Sequence, residues 1–495
     1  MAILKSFIGG VAEAVASAGN EQFKVFNPAT GECISQFAST PAFEIDRAVI
    51  AASSAFVKWS KTTFKSRAQI LFNFRELCLT RYREELVDLI VRENGKHKTD
   101  ATASLLKGLE TVEYALSPNL GSGNIQEVST GITCQDKRTP LGVLVSICPF
   151  NFPAMVPMWT VPIAIACGNC VVIKPSEKVP FTITRMVEIM YEAGLPAGVV
   201  SVVHGGKSVV NALISHPLVS GVTFVGSTPV AELVYKTAVA NGKRAICLGG
   251  AKNHLVVMPD AHLDQSATDI LNSFAGSAGQ RCMAASVLVL CGEGSEKVLG
   301  ILIDKASKIQ PGQSQPGEIG PVIDAAAVHR ICKYIEDSEE QYKAKIHLDG
   351  RSWSTSQPAG FWVGPTIIEH TSLDDPALKN EIFGPVLSVV RVGNLEDAIR
   401  RINESEYGNA ACIYTSSGPW ADGFARSVNV GMVGVNVGVP VPREPFSFGG
   451  TKRSKFGIGD ITGDGLVEFC TVRTKITTKW IMNSEGDFVS RNFTG

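Results

Sequence analysis

Cys282 is the residue of this chain whose neighbours best suit it to be a nucleophile. It follows the small-residue run Phe274-Ala275-Gly276-Ser277-Ala278-Gly279-Gln280-Arg281 and precedes Met283-Ala284-Ala285. Glycines let a backbone turn tightly and let a ligand come close. A thiol beside the permanent charge of Arg281 can be held partly as thiolate, the form that attacks electrophiles. Most of the 12 cysteines read instead as buried packing residues.

Further stretches carry chemistry at strand ends and turns. Pro149-Phe150-Asn151-Phe152-Pro153 holds an asparagine between rigid prolines. A fixed amide donor of that kind stabilises a developing oxyanion. Lys174-Pro175-Ser176-Glu177 offers Lys174 and Glu177 to the ribose hydroxyls of a nucleotide. Phe224-Val225-Gly226-Ser227 is a strand followed by a helix start, and Ser227 there marks an anion site suited to a pyrophosphate. Glu381-Ile382-Phe383-Gly384-Pro385 sets an acid and an aromatic in a tight turn, Glu381 for a second ribose and Phe383 for a nicotinamide face. Each has a plainer reading as a turn residue, a surface ion pair or a buried ring. The Gly-x-Gly-x-x-Gly fingerprint is absent, so no ordinary dinucleotide loop is signalled. No metal is expected: the 8 histidines are dispersed, and Cys167-Gly168-Asn169-Cys170 is a lone pair ahead of an apolar strand.

Composition narrows the classes. The chain has 495 residues, 45% of them hydrophobic, which is ordinary for a soluble α/β protein of several domains. With 46 basic and 47 acidic residues, nothing signals nucleic acid or an anionic membrane as partner. Cysteines without a disulfide framework suit a reducing compartment, so a cytoplasmic protein is expected. Glu13 interrupts the one run that faintly resembles a signal peptide. Leu141 to Ile173 is free of charge, but Pro149, Pro153, Pro157 and Pro162 argue against a spanning helix. Asn403-Glu404-Ser405 and Asn492-Phe493-Thr494 are chance matches to a glycosylation pattern in a cytosolic protein.

The elements that must position these residues follow from periodicity. Residues 43 to 115 read as helices, one of them stopped by Gly95, and 121 to 140 as a polar excursion. From 141 onward strands and helices alternate. Strands are expected at Leu141 to Ile147, Val171 to Ile173, Val199 to Val203 and Val222 to Val225, with helices starting near Lys207 and Pro229. Alternating βα units imply a parallel sheet covered by helices, with ligands beyond the carboxyl ends of the strands. From about 250 a second α/β pattern begins. It includes Ala284 to Leu290 as strand or helix, a helix at Ala325 to Asp337, and strands near Pro385 to Val390 and Ala410 to Tyr414. Gly434 to Gly450 reads as a loop bordering a pocket, and Val467 to Trp480 as a late strand pairing outside its own core.

Taken together, the five motifs, with Gly279-Gln280-Arg281-Cys282 among them, resemble the aldehyde dehydrogenase superfamily over residues 7 to 480. Gly279 to Ala284, Gly250-Ala251-Lys252-Asn253-His254 and Val433-Gly434-Val435-Asn436-Val437 look like its CoA-acylating methylmalonate-semialdehyde dehydrogenases. The resemblance implies a Rossmann-like NAD domain (1–120 and 141–248), an α/β catalytic domain (249–440), a β oligomerisation flap (121–140 and 465–495) and a connecting loop (441–464). It implies Cys282 as nucleophile, with Asn151 and the Cys282 backbone N–H as oxyanion donors. It implies NAD at Cys148, Phe150, Lys174, Glu177, Lys178, Ser227, Gly249, Glu381 and Phe383. Glu177 beside the ribose would repel a 2′-phosphate, favouring NAD over NADP. A homotetramer or homodimer is expected.

Hydrolytic members resemble Glu-Leu-Gly-Gly where this chain has Cys247-Leu248-Gly249-Gly250, and that Glu activates water. Its loss favours coenzyme A as acyl acceptor, since a thiol needs less activation. The implied substrate is methylmalonate or malonate semialdehyde, with Arg281 holding its carboxylate. Lys107 stands where the family has a second Arg; it keeps the charge and loses the bidentate fork. A hydrolytic dehydrogenase and a catalytically silent relative are the alternatives.

Overall fold

The computed structural model describes residues 3–16, 21–117, 123–357 and 359–480. Four helices, Ala42–Trp59, Phe64–Thr80, Arg83–Asn94 and Lys98–Ala115, come first after two short hairpins. Gly95 ends the third in the left-handed region at φ 85°, where a side chain is disfavoured.

Two parallel sheets then form the body. In the first, Val200–Val202, Cys170–Lys174, Val143–Ile147, Val219–Val225 and Arg244–Leu248 lie side by side in that order, all parallel. Lys5–Ile8 and Lys455–Phe456 flank this parallel core antiparallel. Residues 441–464, expected only to connect, thus supply an edge strand to this sheet. The charge-free stretch from 141 to 173 resolves into two central strands around Met155–Ala166, a helix every residue of which is buried. Its hydrophobicity serves the core between sheet and helices rather than a bilayer. Among the described residues no helix is long and apolar enough to cross a membrane.

The second sheet runs Lys345–Leu348, Thr366–Glu369, Val386–Val392, Ala285–Cys291, Asn253–Val257, Ala410–Tyr414, Met432–Val435. All but Lys345–Leu348 are parallel. Ala285–Cys291 is therefore a strand, which settles the choice left open by its apolar run.

Ile125–Ser129, Ile132–Pro140 and Thr471–Lys479 make a separate antiparallel sheet, largely exposed. The late strand starts after Cys470. Gly463–Phe469, partly expected as strand, is a helix because Leu466, Val467 and Phe469 bury one helical face. The expectations for residues 121–122 and 481–495 lie outside the described residues.

Candidate active site

A cavity of about 900 Å³ opens where the strands of the first sheet end and the second body begins. Lys174, Ser227, Gly249, Glu381 and Phe383 border it, as do Asn151 and Cys282. The sequence-predicted cofactor residues Cys148, Phe150, Glu177 and Lys178 lie in the same wall.

Its first wall follows from strand ends. Lys174 closes Cys170–Lys174 and is almost wholly buried. Its Nζ donates to the Gly205 carbonyl at 3.0 Å and lies 3.5 Å from Glu177 Oε2. Burial lowers its pKa, and Glu177 works against that. Ser227 precedes the helix Thr228–Ala240 without capping it, so the first amides of that helix are left for an anion. Glycine is required around that turn. A Cβ on Gly226 would sit 2.6 Å from the Phe224 ring, and one on Gly249 would sit 2.7 Å from the Arg453 carbonyl. Lys178 pairs with Asp324 at 2.6 Å and lies 5.3 Å over the Phe150 ring. Phe150 meets Phe383 edge-on, centroids 5.8 Å apart.

Glu381 accepts the Ala251 amide at 3.0 Å. Burial pushes its carboxyl up to about 7, opposed by that amide and by Lys252. A Cβ on Gly250 would come 2.5 Å from Glu381 Oε2, so glycine there is what lets the acid approach the backbone.

Opposite lies the loop that carries Cys282. Ser277, Ala278 and Gly279 are all left-handed, at φ 52°, 53° and 68°. A side chain on Gly279 is impossible without rearrangement, since its Cβ would lie 2.0 Å from the Gly384 carbonyl. Asn253 Nδ2 and Asn409 Nδ2 each donate to the Cys282 carbonyl at 2.9 Å. Gln280 Oε1 accepts the Ile323 amide at 3.0 Å. Asn151 Nδ2 donates to the Gln280 carbonyl at 3.1 Å, which brings the expected oxyanion donor against the Cys282 loop. An amide nitrogen has two donors, so one N–H remains for a substrate oxygen.

The charges differ from expectation. The sequence assigns Arg281 two tasks, holding the thiol as thiolate and taking a substrate carboxylate. Its guanidinium donates to Asp100 Oδ1 at 2.9 Å, to Ser277 Oγ and to the Asn272 carbonyl, and Arg281 is not among the residues bordering the cavity. Burial pushes the Cys282 thiol up to about 12 and Glu381 adds to the rise, while its own amide, the Met283 amide and Lys96 oppose it. Lys107 likewise pairs inside the protein, with Glu110 at 2.8 Å and Glu444 at 3.5 Å. Cys247 lies wholly buried in Arg244–Leu248, with its thiol pushed up to about 12 by burial.

Sequence reasoning missed Asp100, Lys96, Asn409 and the role of Asn253. Asn253 stands within the Gly250 to His254 motif, which was a usable signal. The others come from segments without a local motif. Among the described residues no cluster of three or more metal-ligating side chains occurs.

A cysteine-bearing loop and a large cavity thus lie where two parallel sheets meet. A model of the aldehyde dehydrogenase family matches residues 14–475, and the chain belongs to that family. Within it, the chain is 44% identical over 482 residues to malonate-semialdehyde dehydrogenase 3 of Bacillus cereus, covering 97% of this chain and 98% of that protein. It is 45% identical to malonate-semialdehyde dehydrogenase 2 of Geobacillus kaustophilus, covering 96% and 99%. Among solved structures it resembles methylmalonate-semialdehyde dehydrogenase from Oceanimonas doudoroffii, with TM-score 0.94, 41% identity and coverage of 97% and 99%. A protein of Sinorhizobium meliloti 1021, named as a candidate methylmalonate-semialdehyde dehydrogenase and solved with NAD, gives TM-score 0.92 at 41% identity, covering 96% and 98%.

Proposed function

We propose that this chain oxidises malonate semialdehyde or methylmalonate semialdehyde with NAD and passes the acyl group to coenzyme A, with loss of carbon dioxide. The observation that carries the acylating half is Cys247. It is a sealed core thiol at the position of the water-activating Glu, and it does not border the cavity. The relatives, malonate- and methylmalonate-semialdehyde dehydrogenases, support the substrate class.

The residues fit NAD. Lys174 and Glu177 suit one ribose, the Ser227 helix start suits the pyrophosphate, and Glu381 with Phe383 suits the nicotinamide end. NAD bound there supplies a hydride acceptor. The Cys282 sulfur bonds to the aldehyde carbon, and the oxygen becomes an oxyanion. The free N–H of Asn151 and the Cys282 amide hold that oxyanion. Once the hydride has left, Cys282 carries a thioester. The thiolate of coenzyme A attacks the thioester carbon, and Cys282 departs as the leaving thiolate. The carboxylate β to the thioester carbonyl leaves as carbon dioxide, the bonding pair passes to the α-carbon, and that carbon takes a proton from water, so malonate semialdehyde gives acetyl-CoA and methylmalonate semialdehyde gives propionyl-CoA.

A hydrolytic reading is kept by one observation. Glu381, held near 7, is a carboxyl on the same cavity as Cys282. The separating experiment follows NADH formation from both semialdehydes with and without coenzyme A. Sustained turnover that requires coenzyme A is expected. Equal turnover without it, giving the free acid, would establish hydrolysis.

The exposed three-stranded sheet supports assembly. We assign it to contact between copies in a homodimer or homotetramer. All 12 cysteines are free thiols, which supports a cytoplasmic setting.

A further inference from the structure

The cavity wall around Lys174 includes two residues from outside both large sheets. Glu21 and Phe23, at the start of the hairpin Gln22–Phe26 and Cys33–Ala38, border the cavity together with Gly206 and Lys207. Three bonds fix this end of the hairpin. The Ser39 amide donates to the Glu21 carbonyl at 2.9 Å, the Thr40 amide to the His204 carbonyl at 2.8 Å, and the His204 amide to Thr40 Oγ1 at 2.9 Å. Glu21 is thereby held over Gly205-Gly206, the turn that opens the helix Lys207–Ser215.

Its carboxylate fills the space above that turn. Oε2 accepts the Ser39 and Ser208 hydroxyls, each at 2.6 Å. A Cβ on Gly206 would lie 2.6 Å from Oε1, so the carboxylate rests directly on the backbone there. The preceding carbonyl, that of Gly205, accepts Lys174 Nζ at 3.0 Å, and Nζ lies 3.5 Å from Glu177. Glu21 therefore meets the same turn that Lys174 meets, next to the acid expected to hold a ribose. Hydroxyls and the start of a helix suit an anion, and here the chain supplies that anion itself. The Ser208 and Ser39 hydroxyls hold the Glu21 carboxyl below its ordinary value, so it is charged at neutral pH.

We propose that Glu21 is a specificity-determining residue for the cofactor: its carboxylate occupies the donors at the Gly205-Gly206 turn that a 2′-phosphate would need, and so restricts the site to NAD. This rests on the reading of Lys174 and Glu177 as the ribose end of the cavity. Glu177 can only repel a phosphate, whereas Glu21 also takes up Ser39 and Ser208. Exposed Lys207, on the same rim, becomes a phosphate partner once Glu21 is neutral.

The test is calorimetric binding of 5′-AMP and 2′,5′-ADP to the full-length protein, with NADH and NADPH formation measured beside it. The wild type is expected to prefer 5′-AMP. Glu21→Gln keeps the shape and removes the charge. The affinity for 2′,5′-ADP relative to 5′-AMP should then rise about tenfold, the effect of one like charge near a protein surface, and kcat/KM for NADP relative to NAD should rise with it. Glu21→Asp keeps the charge and should keep the preference. Glu21→Ala empties the space, should shift the ratio in the same direction, and decides the matter if the glutamine protein does not fold. An unchanged ratio in Glu21→Gln and Glu21→Ala overturns the proposal. Equal weakening of both nucleotides also overturns it, because a purely structural Glu21 would act on both alike. If NAD fails to displace 5′-AMP from a wild-type protein that still forms NADH, the reading of Lys174 and Glu177 as the ribose end falls first, and the proposal with it.

Discussion

The two loops facing each other across the cavity are built in opposite ways. Residues 148–153 continue directly from the strand Val143–Ile147, and Pro149 and Pro153 restrict the chain around Asn151. That loop is shaped by its own sequence. The Cys282 loop is shaped by its neighbours. Left-handed backbone at Ser277 and Ala278 costs on the order of 1 kcal/mol or more each. Asp100, Asn253, Asn409 and the Gln280 contact to Ile323 hold it there. Strain concentrated on one side of a site, with support drawn from four distant segments, makes that side the sensitive one.

The sharpest way to break the comparison uses two cysteines that burial treats alike. Cys282 and Cys247 are both pushed up to about 12, yet only Cys282 borders the cavity. Cys282→Ala is expected to abolish NADH formation, a loss of at least about a thousandfold, because no other group forms the thioester. Cys247→Ala should leave turnover within a few-fold while lowering stability by about 1 kcal/mol, as for a small buried side chain. NADH absorbance and thermal unfolding read both. Persistent turnover in Cys282→Ala would end the covalent mechanism.

A smaller effect is expected from removing outside support. Burial would raise the Asp100 carboxyl, but Arg281, Lys96 and the two Ser277 donors outweigh it and leave it below its ordinary value. Its contribution to stability is therefore present above the unfolded carboxylate value, about 4, and is lost as pH falls through the depressed folded value. Asp100→Asn keeps an acceptor but loses the charge, and should cost about 2 kcal/mol, the worth of a hydrogen bond to a charged group. Thermal unfolding measured against pH should show the mutant insensitive in that acid window where the wild type declines. Equal pH dependence in both proteins would mean that the Cys282 loop supports itself.

The same contrast explains what is legible in the sequence. The strands near 143, 170, 200 and 219 and the residues at their ends are local features, set by apolar runs and by Gly and Pro. Cys282, Asn151, Lys174 and Glu381 can therefore be placed on one site from motifs. Partners across the fold cannot. Nothing around Asp100 announces that it will meet Arg281, and nothing around Asn409 announces a contact with Cys282. Arg281 shows the same limit: its type and position suit a substrate carboxylate, and nothing around it announces that Asp100 will pair with it. Gly463–Phe469 reads partly as strand because three apolar residues fit either period over so short a span.

The smallest expected effect concerns the substrate's own charge. Lys107 Nζ is shared between Glu110 and the nearly buried Glu444, whose other oxygen accepts the Thr111 hydroxyl at 3.3 Å. A carboxylated aldehyde must compete with Glu444 for this lysine if Lys107 contributes to its binding. Glu444→Gln removes one competitor and keeps an acceptor for Thr111. The Michaelis constant for malonate semialdehyde should fall a few-fold, about 0.5–1 kcal/mol for one partly exposed pair, while that for a neutral aldehyde of similar size stays unchanged. The measurement is steady-state NADH formation with both aldehydes at saturating NAD and coenzyme A. If the two constants shift together, Lys107 shapes the helix Lys98–Ala115 rather than the substrate, and carboxylate selection lies on the Cys282 side of the cavity.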